Sequence, residues 1–570
     1  MPTTHAADAS SSLPLDYAAP RSGSSTVRIS DLVLHFCDTH RKLLLAGLMF
    51  LYLLSLNGQW HIEPDSALYL TIARNLALGR GYTYHGLPHH LAYPGLPWLI
   101  AGTFRIFGVG VLWPAHVLML LCGIGAVFLT YRLFHLHADR ATATVITCLY
   151  GVSELALRYS IELRNDMPFL LGVLAALVGY EAAARYLESR QRHNLTGVDP
   201  ESTAASIDAP ATDAPSPRAT PRTIDLVLLP IGLAITYVMR PTMWVFIPLV
   251  VLAFLWQVTR RRRWLQLSLV AALAIAVIII FFTLRNGDYE DDMVGIFTSS
   301  ARLSTTMSRS WNEYIPQIIR SVPAAAFGHE VWRMNVFACV VLLGLGAALA
   351  RRRPLWGLWV AACTGMLLIT LPRDRYFLPV LPLLACGWWF GIRWLNQRLP
   401  GRAGNFVCIV MLALWVCPNF VRACNGVFQQ RRTPFLASYK SGRFPALIQL
   451  SGAIKQATAE NAIILSPNKW GRILTYFSDR NVLVMREVNP ADLNSHPLYA
   501  VLPDDASSET EDERHDFDAA LEPLPFTVGP AIVTIPRSEK SPRSPKPSLT
   551  PWTLHLLTPL PPTTAPSTAP

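Results

Sequence analysis

The chain has 570 residues, of which 51% are hydrophobic and 15% charged, and its mean hydropathy is +0.31. This composition is too apolar for a soluble protein and is typical of a chain that crosses a membrane many times. The net charge of +11 does not indicate nucleic-acid binding, because the arginine clusters lie between apolar runs, where basic residues anchor cytoplasmic loops. We therefore expect a polytopic α-helical membrane protein with no nucleic-acid partner.

The apolar runs predict about eleven transmembrane helices, since ~20 apolar residues cross a bilayer as a helix. They lie at about residues 41–57, 109–134, 141–157, 167–187, 224–239, 243–259, 264–284, 335–350, 355–371, 376–394 and 404–420. Most loop arginines fall on one side of these spans, which places that side and the N-terminus in the cytoplasm. An odd number of spans then places the segment after residue 421 on the outer face.

The sequence between the spans predicts loops of two kinds. Residues 1–40 and 188–222 are rich in small residues and proline, and both are expected to be disordered and cytosolic. Within the transmembrane module at 41–420, residues 58–108 and 285–334 are predicted to be outer loops. The first of these contains an amphipathic pattern typical of a helix that lies at the membrane surface.

The chain beyond the last span changes character. The pattern from Ala446 to Glu460 predicts a helix, Ala462 to Leu465 predicts a strand, and further short elements follow. Alternating helices and apolar strands predict a small α/β domain at 421–536 on the outer face. Residues 537–570 are rich in Pro, Ser and Thr and are predicted to form a disordered tail.

The first outer loop carries two carboxylates close to the membrane. Glu63 and Asp65 flank Pro64 directly after the first span, at the start of the amphipathic pattern. A carboxylate in this position can accept a proton from a group that reacts with a lipid-borne substrate. A lone acidic loop residue is more often simply solvated, so the prediction depends on the other charges of the same membrane face.

Further charges lie at the outer ends of the spans, where charge is costly and indicates a functional site. These residues are Glu154, Arg158, Glu162, Arg164, Asp166, Arg240, Arg285, Arg373, Asp374 and Arg375. Simpler interpretations stay open for several of them. Asp166 before Pro168 also fits a helix N-cap. The i, i+4, i+8 spacing of the first three fits an ion-pair face of one helix, and single arginines also serve as interfacial anchors.

Several segments resemble, in this order along the chain, the motifs of the GT-C membrane glycosyltransferases. The resemblance is to the bacterial branch near the dolichyl-phosphate-mannose-protein mannosyltransferase family and the lipid A aminoarabinose transferase. It covers about residues 40–480 and is carried by Asp65-Ser66-Ala67-Leu68-Tyr69 with Ala73-Arg74-Asn75-Leu76, Tyr93-Pro94-Gly95-Leu96-Pro97-Trp98-Leu99, Arg164-Asn165-Asp166-Met167-Pro168-Phe169, Arg240-Pro241-Thr242, Leu284-Arg285-Asn286 and Arg375-Tyr376-Phe377-Leu378-Pro379.

This resemblance implies a GT-C-like fold in a bacterial inner membrane and a sugar donor linked to polyprenyl phosphate. The acceptor would be a glycan, lipid or protein on the periplasmic face. Asp65 is then the expected base of an inverting displacement, and Asp166 supports the acceptor or the electrostatics of the site. The expected substrate-binding residues are Glu63, Tyr69, Arg74, Tyr93, Arg164, Arg240, Arg285, Arg375 and Tyr376, with Arg375 favoured for the phosphate.

A metal site is an open alternative. No closed set of ligands accompanies His85, His89 and His90, so these histidines are predicted to be surface-loop or substrate-contact residues rather than metal ligands. Some relatives use a divalent cation, and Mg²⁺ or Mn²⁺ could be held by Asp65, Glu63 and Asp166. Ser66 stands where many relatives carry a second acid, and Leu68 stands where the aminoarabinose branch has a basic residue. The acceptor and the metal requirement are therefore left undetermined.

Two other functional classes are weighed against a transferase. A transporter or flippase of lipid-linked sugar should show inverted repeats and polar groups near mid-span, whereas the charges here cluster at outer span ends. An inactive scaffold of the same fold would keep its structure but have no activity to lose when Asp65 is changed. The pattern favours an enzyme, a hexosyl- or pentosyltransferase.

Overall fold

The computed structural model describes residues 27–56, 60, 63–85, 87–89, 92–196, 223–240, 246–251, 253, 308, 310–327, 341–342, 344, 353–366, 373–432, 443–466, 471–484, 497–503, 526–535 and 552–559. The expected span at 264–284, Arg285 and His90 lie outside these described residues.

The described residues form mainly helices. In chain order these are α1 Ile29–Thr39, α2 Arg41–Ser55, α3 Pro64–Ala77, α4 Gly95–Phe107, α5 Trp113–His135, α6 Arg140–Gly151, α7 Glu154–Tyr159, α8 Asp166–Thr196, α9 Thr223–Met239, α10 Ile315–Phe327, α11 Pro354–Met366, α12 Leu381–Arg398, α13 Gly401–Arg432, α14 Arg443–Ala457 and α15 Gly471–Ser478. A π-helical turn, Ser310–Tyr314, precedes α10, and a 3₁₀ helix, Asp374–Val380, precedes α12.

Within the described residues, four helices are long and apolar enough to cross a membrane. They are Trp113–His135, Asp166–Leu187, Asp374–Arg398 and Gly401–Gly426, and two shorter apolar helices are Ile224–Met239 and Leu355–Gly365. Large apolar side chains such as Leu121, Phe128 and Phe406 are more than half exposed on these helices. Such a surface suits lipid rather than water. The total of eleven spans stays a prediction.

Two expected spans differ in detail from the helices. The run at 141–157 is divided into α6 and α7, because the helix is interrupted at Val152 and Ser153. The run at 376–394 begins with the 3₁₀ helix and ends only at Arg398.

Helices α8 and α9 approach each other closely along a seam of glycines. A Cβ atom on Gly232 would overlap the backbone of Gly172 and Ala176, and one on Gly179 would overlap the backbone of Leu229. Small residues at such a seam let two helix backbones come together in a membrane protein. The seam brings the end of α9 next to the start of α8, where charged residues lie.

The tail of the chain contains a five-stranded mixed sheet. Its strands are β3 Ile463–Ser466, β4 Asn481–Val484, β5 Leu498–Pro503, β6 Phe526–Ile535 and β7 Trp552–Pro559, in the order β4-β3-β5-β7-β6. β3 is parallel to both of its neighbours, and β7 is antiparallel to β5 and β6. All four residues of β3 are buried, as expected for a central parallel strand. A separate hairpin, β1 Thr83–Tyr84 and β2 Leu87–Pro88, follows α3.

Several expected boundaries require correction. The segment 1–40 is not entirely disordered, since α1 packs against α6 and α13. The segment 188–222 begins with the last turns of α8, which continues to Thr196. The expected loop at 285–334 contains α10, which buries an apolar face. The expected tail at 537–570 contains β7, so the sheet extends beyond residue 536.

Candidate functional site

The first turn of α3 presents Asp65. Pro64 occupies the start of the helix, where its missing N–H leaves no bond unmade. Ser66 accepts hydrogen bonds from the Glu63 N–H (3.2 Å) and from the Trp60 indole N–H (2.8 Å). These bonds anchor the start of α3, which places Asp65 at its exposed edge. The helix ends before Gly79 and Gly81, whose φ angles of 77° and 81° favour glycine.

Three arginines from different parts of the chain surround the Asp65 carboxylate. Arg375 Nη1 lies 3.0 Å and Arg164 Nη2 lies 3.4 Å from Oδ2, while Arg472 Nη1 lies 3.6 Å from Oδ1. The Asp65 side chain keeps 34% of its surface exposed, whereas the Arg164 side chain keeps only 5%. The carboxylate is therefore open to a substrate on one side and faced by positive charge on the other.

Arg164 also links this carboxylate to two further acids. Its Nη2 lies 3.6 Å from Glu63 Oε2, and its Nη1 lies 3.3 Å from Glu162 Oε2. Glu162 accepts a bond from Arg158 Nε at 2.8 Å. The expected single helical face through Glu154, Arg158 and Glu162 is wrong, because α7 ends at Tyr159. The Arg158–Glu162 ion pair nevertheless forms, and Glu162 connects it to Arg164 of the site.

Asp166 forms a further ion pair, with Arg240. Arg240 Nη2 lies 2.6 Å from Asp166 Oδ1, and both side chains are buried. The ring of Tyr376 lies between the two clusters, 5.2 Å from the Arg240 guanidinium and 5.0 Å from that of Arg375. Its hydroxyl is 3.2 Å from Arg375 Nη2. Asp166, Arg240 and Tyr376 thus support the group that holds Asp65.

The remaining expected residues have different surroundings. Tyr69 lies one turn along α3 from Asp65, and burial raises the pKa of its hydroxyl, with the charge of Asp65 adding to the effect. Tyr93 is buried in the hydrophobic core just before α4. Arg74 lies at the far end of α3 and pairs with Asp479 of the tail at 2.8 Å. A direct substrate contact of Tyr93 or Arg74 stays a prediction.

The ionisation of Asp65 follows from these neighbours. Burial alone would raise the pKa of Asp65, but the guanidinium groups of Arg375, Arg164 and Arg472 outweigh it and lower the pKa below its ordinary value. The carboxylate is therefore negatively charged at neutral pH and available to accept a proton.

The described residues do not fit a metal site. No three His, Cys, Asp or Glu side chains among them converge to hold an ion. Asp65 and Asp166 each face guanidinium groups, which already neutralise the charge that a cation would require. The His85 ring contacts the Tyr84 ring at a tilt of 57°, with ring centroids 3.7 Å apart. Burial lowers the pKa of His85 to about 3, so its ring is neutral.

Arg472 is the site residue that sequence reasoning missed. It lies at the start of α15 in the tail, about four hundred positions after Asp65. No local pattern around Trp470, Gly471 and Arg472 distinguishes this arginine from the other basic residues of the tail. Only the packing of α15 against α3 brings it to the carboxylate.

The fold and the apolar helices together define a membrane protein with a GT-C-type architecture. The apo crystal structure of ArnT from Cupriavidus metallidurans matches with a TM-score of 0.50 at 14% identity, covering 91% of this chain and 98% of that one. The fold that the motifs indicated is therefore confirmed.

Other comparisons are shorter or more distant. The sequence profile of the family described as dolichyl-phosphate-mannose-protein mannosyltransferase matches residues 89–195, a segment well under half of the chain that includes Arg164 and Asp166 but not Asp65. ArnT from C. metallidurans bound to undecaprenyl phosphate matches with a TM-score of 0.49 at 15% identity, covering 90% of this chain and 97% of that one. The Archaeoglobus fulgidus oligosaccharyltransferase AglB, in complex with an inhibitory peptide and a dolichol-phosphate, matches with a TM-score of 0.46 at 12% identity, covering 81% of this chain and 70% of that one. No curated protein sequence matches the chain.

Proposed function

We propose that the protein is a glycosyltransferase that moves a sugar from a polyprenyl-phosphate donor to an acceptor hydroxyl on the periplasmic face of a bacterial inner membrane. The observation that carries the proposal is the partly exposed Asp65 carboxylate beside two guanidinium groups, with Arg375 at 3.0 Å and Arg164 at 3.4 Å. The proposed base and the proposed anion-binding groups are therefore in direct contact. Transfer from a phosphate-linked sugar requires both kinds of group close together.

Asp65 and the arginines have different roles in the displacement. Asp65 takes the proton of the acceptor hydroxyl while the acceptor oxygen attacks the anomeric carbon. The bond from that carbon to the phosphate oxygen breaks, and polyprenyl phosphate leaves with the electron pair. Attack opposite to the leaving group inverts the anomeric configuration in one step.

Arg375 and Arg164 are the proposed partners of the donor phosphate. Planar guanidinium groups bind phosphate oxygens in pairs and stabilise the charge that the leaving group acquires. Arg240 is not assigned this role, because it pairs with Asp166 rather than with the proposed base. Arg285, the other expected phosphate ligand, lies outside the described residues.

The donor class follows from the motif resemblance. ArnT of C. metallidurans, whose apo structure shares the fold, has also been crystallised with undecaprenyl phosphate. The identity of the sugar, hexose or pentose, is best read from lipid that co-purifies with the protein.

The base is tested by Asp65→Asn, which preserves shape but cannot accept the proton. We expect transfer from a panel of undecaprenyl-phosphate sugars to fall by about 10²- to 10⁴-fold. Asp38→Asn is the matched control, because Asp38 lies exposed on α1 and should leave activity unchanged. Full transfer by Asp65→Asn would exclude Asp65 as the base, and would leave a scaffold or another catalytic group to be considered.

The donor site is tested by native mass spectrometry of the protein in lipid nanodiscs. Wild type should retain a polyprenyl-phosphate sugar, and Arg375→Ala should lose most of it because the phosphate loses its closest partner. Arg480→Ala is the control, since Arg480 bonds to backbone carbonyls of the tail. Absence of such lipid from wild type, even when supplied, would favour a different substrate. Net movement of the lipid across vesicles without transfer would favour a flippase.

A further inference from the structure

The tail unit reaches into the site through α15. Arg472, the second residue of this helix, approaches Asp65 Oδ1, whereas Arg375 and Arg164 both approach Oδ2. The two oxygens of one carboxylate are therefore held from two directions. The membrane helices and the loops between them supply the partners of one oxygen, and the tail unit supplies the partner of the other.

Aromatic packing fixes α15 against the start of α3. The Trp60 ring lies 5.0 Å from the Tyr476 ring and 5.6 Å from the Phe477 ring, measured between centroids. The same Trp60 donates its indole N–H to Ser66, which caps α3 next to Asp65. The contact between the tail and the site thus passes through a buried tryptophan that also orients the helix of the base.

An ion pair fixes α15 against the end of α3. Arg74 bonds to Asp479 Oδ1 at 2.8 Å and to the Tyr476 carbonyl oxygen at 3.0 Å, and its guanidinium lies 5.6 Å from the centre of the Tyr476 ring. Asp65 and Arg74 are about 13 Å apart along α3, because a helix rises ~1.5 Å per residue. The aromatic contact at the start of α3 and the ion pair at its end together fix the position of α15 relative to α3.

We propose that Arg472 is a positioning residue for Asp65 and that α15 is the part of the tail unit that completes the site. This inference rests on the proposed transferase function. A donor phosphate competes with the carboxylate for Arg375 and Arg164, which lie on the Oδ2 side. Arg472 holds the opposite oxygen, so it keeps Asp65 oriented and ionised while the other two arginines turn to the phosphate.

Other charges near Asp65 do not replace this contact. Glu63 shares Arg164 with Asp65, and Tyr69 on the same helix has a raised pKa and stays neutral. Without Arg472, two guanidinium groups stay close, but both lie on the side that the phosphate occupies. The pKa of Asp65 should therefore rise most in the donor-bound enzyme.

The test compares Arg472→Ala and Arg472→Lys with Arg480→Ala, all in the full-length protein in nanodiscs. Arg480 belongs to the same unit but bonds to the Lys455 and Thr458 carbonyls. We expect Arg472→Ala to lower kcat by about 10- to 100-fold with little change in donor KM, because the base is misplaced rather than the donor. The acidic limb of the pH profile of kcat should move to higher pH, since a lost positive charge raises the pKa of a carboxylate. Arg472→Lys should restore part of both effects.

Each other outcome has a definite meaning. If wild type is active and Arg472→Ala matches it in kcat and pH profile, the inference is overturned. A merely structural role is indicated if Arg472→Ala and Arg480→Ala lower activity equally without moving the profile. If wild type transfers no sugar, the proposed function fails. The positioning claim is then decided by hydrogen exchange at the backbone amides of residues 65–68. Exchange should be faster in Arg472→Ala than in Arg480→Ala, and equal rates would overturn the claim.

Discussion

Charged side chains in this site form ion pairs, and removing one partner of a buried pair should lower the stability of the protein. Arg240 and Asp166 form a buried ion pair in which the carboxylate is 1% exposed and the guanidinium side chain 8%. Removing one partner of such a pair leaves a charge without compensation in a poorly solvated place. The pair supports Tyr376, which lies between it and the arginine that contacts Asp65.

We expect Arg240→Ala to lower the free energy of unfolding by about 3–5 kcal/mol, because the buried Asp166 carboxylate would lose its partner at 2.6 Å. Replacing both partners, with Arg240→Met and Asp166→Asn together, should recover most of the loss. Arg80→Ala is the control, since the Arg80 side chain is 57% exposed and lies 4.0 Å from Asp479. An exposed contact of this kind contributes at most about 1 kcal/mol. Thermal unfolding in nanodiscs measures all three, and equal effects of Arg240→Ala and Arg80→Ala would contradict the interpretation.

At the scale of whole elements, the glycine seam between α8 and α9 decides where these charges meet. Asp166 begins α8 and Arg240 directly follows α9, so the ion pair depends on close approach of the two helices. Asn165 adds a bond from its amide to the Met239 carbonyl at 2.9 Å. A wider helix pair would therefore separate Arg240 from Asp166.

Gly232→Ala tests this dependence. The added methyl group would overlap the backbone of α8, which cannot move aside as a flexible side chain could. We expect a loss of about 1–3 kcal/mol in the free energy of unfolding, as for other overpacked interiors. Gly47→Ala in α2 is the matched control, because a methyl group there meets nothing within 4 Å and alanine favours a helix. A neutral result for Gly232→Ala would show that the seam can relax.

On the scale of the whole molecule, polar clusters lie at both ends of the apolar helices. At the end away from Asp65, His137 Nε2 is 3.1 Å and Arg353 Nη1 is 3.7 Å from the buried Glu181 Oε2. Arg132, near the end of α5, pairs with Asp225 at the start of α9. Among the described residues, both clusters lie toward the ends of the apolar spans, a distribution that fits the proposed transferase better than a transporter.

The sequence predicts those parts of this arrangement that depend on local pattern. The start of α3 near Pro64 and the grouping of Asp65 with Arg375 follow from the amphipathic pattern and the motif resemblance. The contact with Arg472 does not, because it depends on how a distant unit packs. α1 and β7 were also missed, since each is short and lies beside residues typical of disorder.

The position of Arg472 late in the chain has a consequence for biosynthesis. A ribosome translates the segments bearing Asp65, Arg164 and Arg375 before it reaches residue 472, so the first three can meet while the last is still unmade. Until the tail unit has folded, the carboxylate lacks the contact of Arg472 with Oδ1. The nascent protein would thus complete this group of charges only after α15 has been made, and a product truncated before α15 would lack the contact to Oδ1.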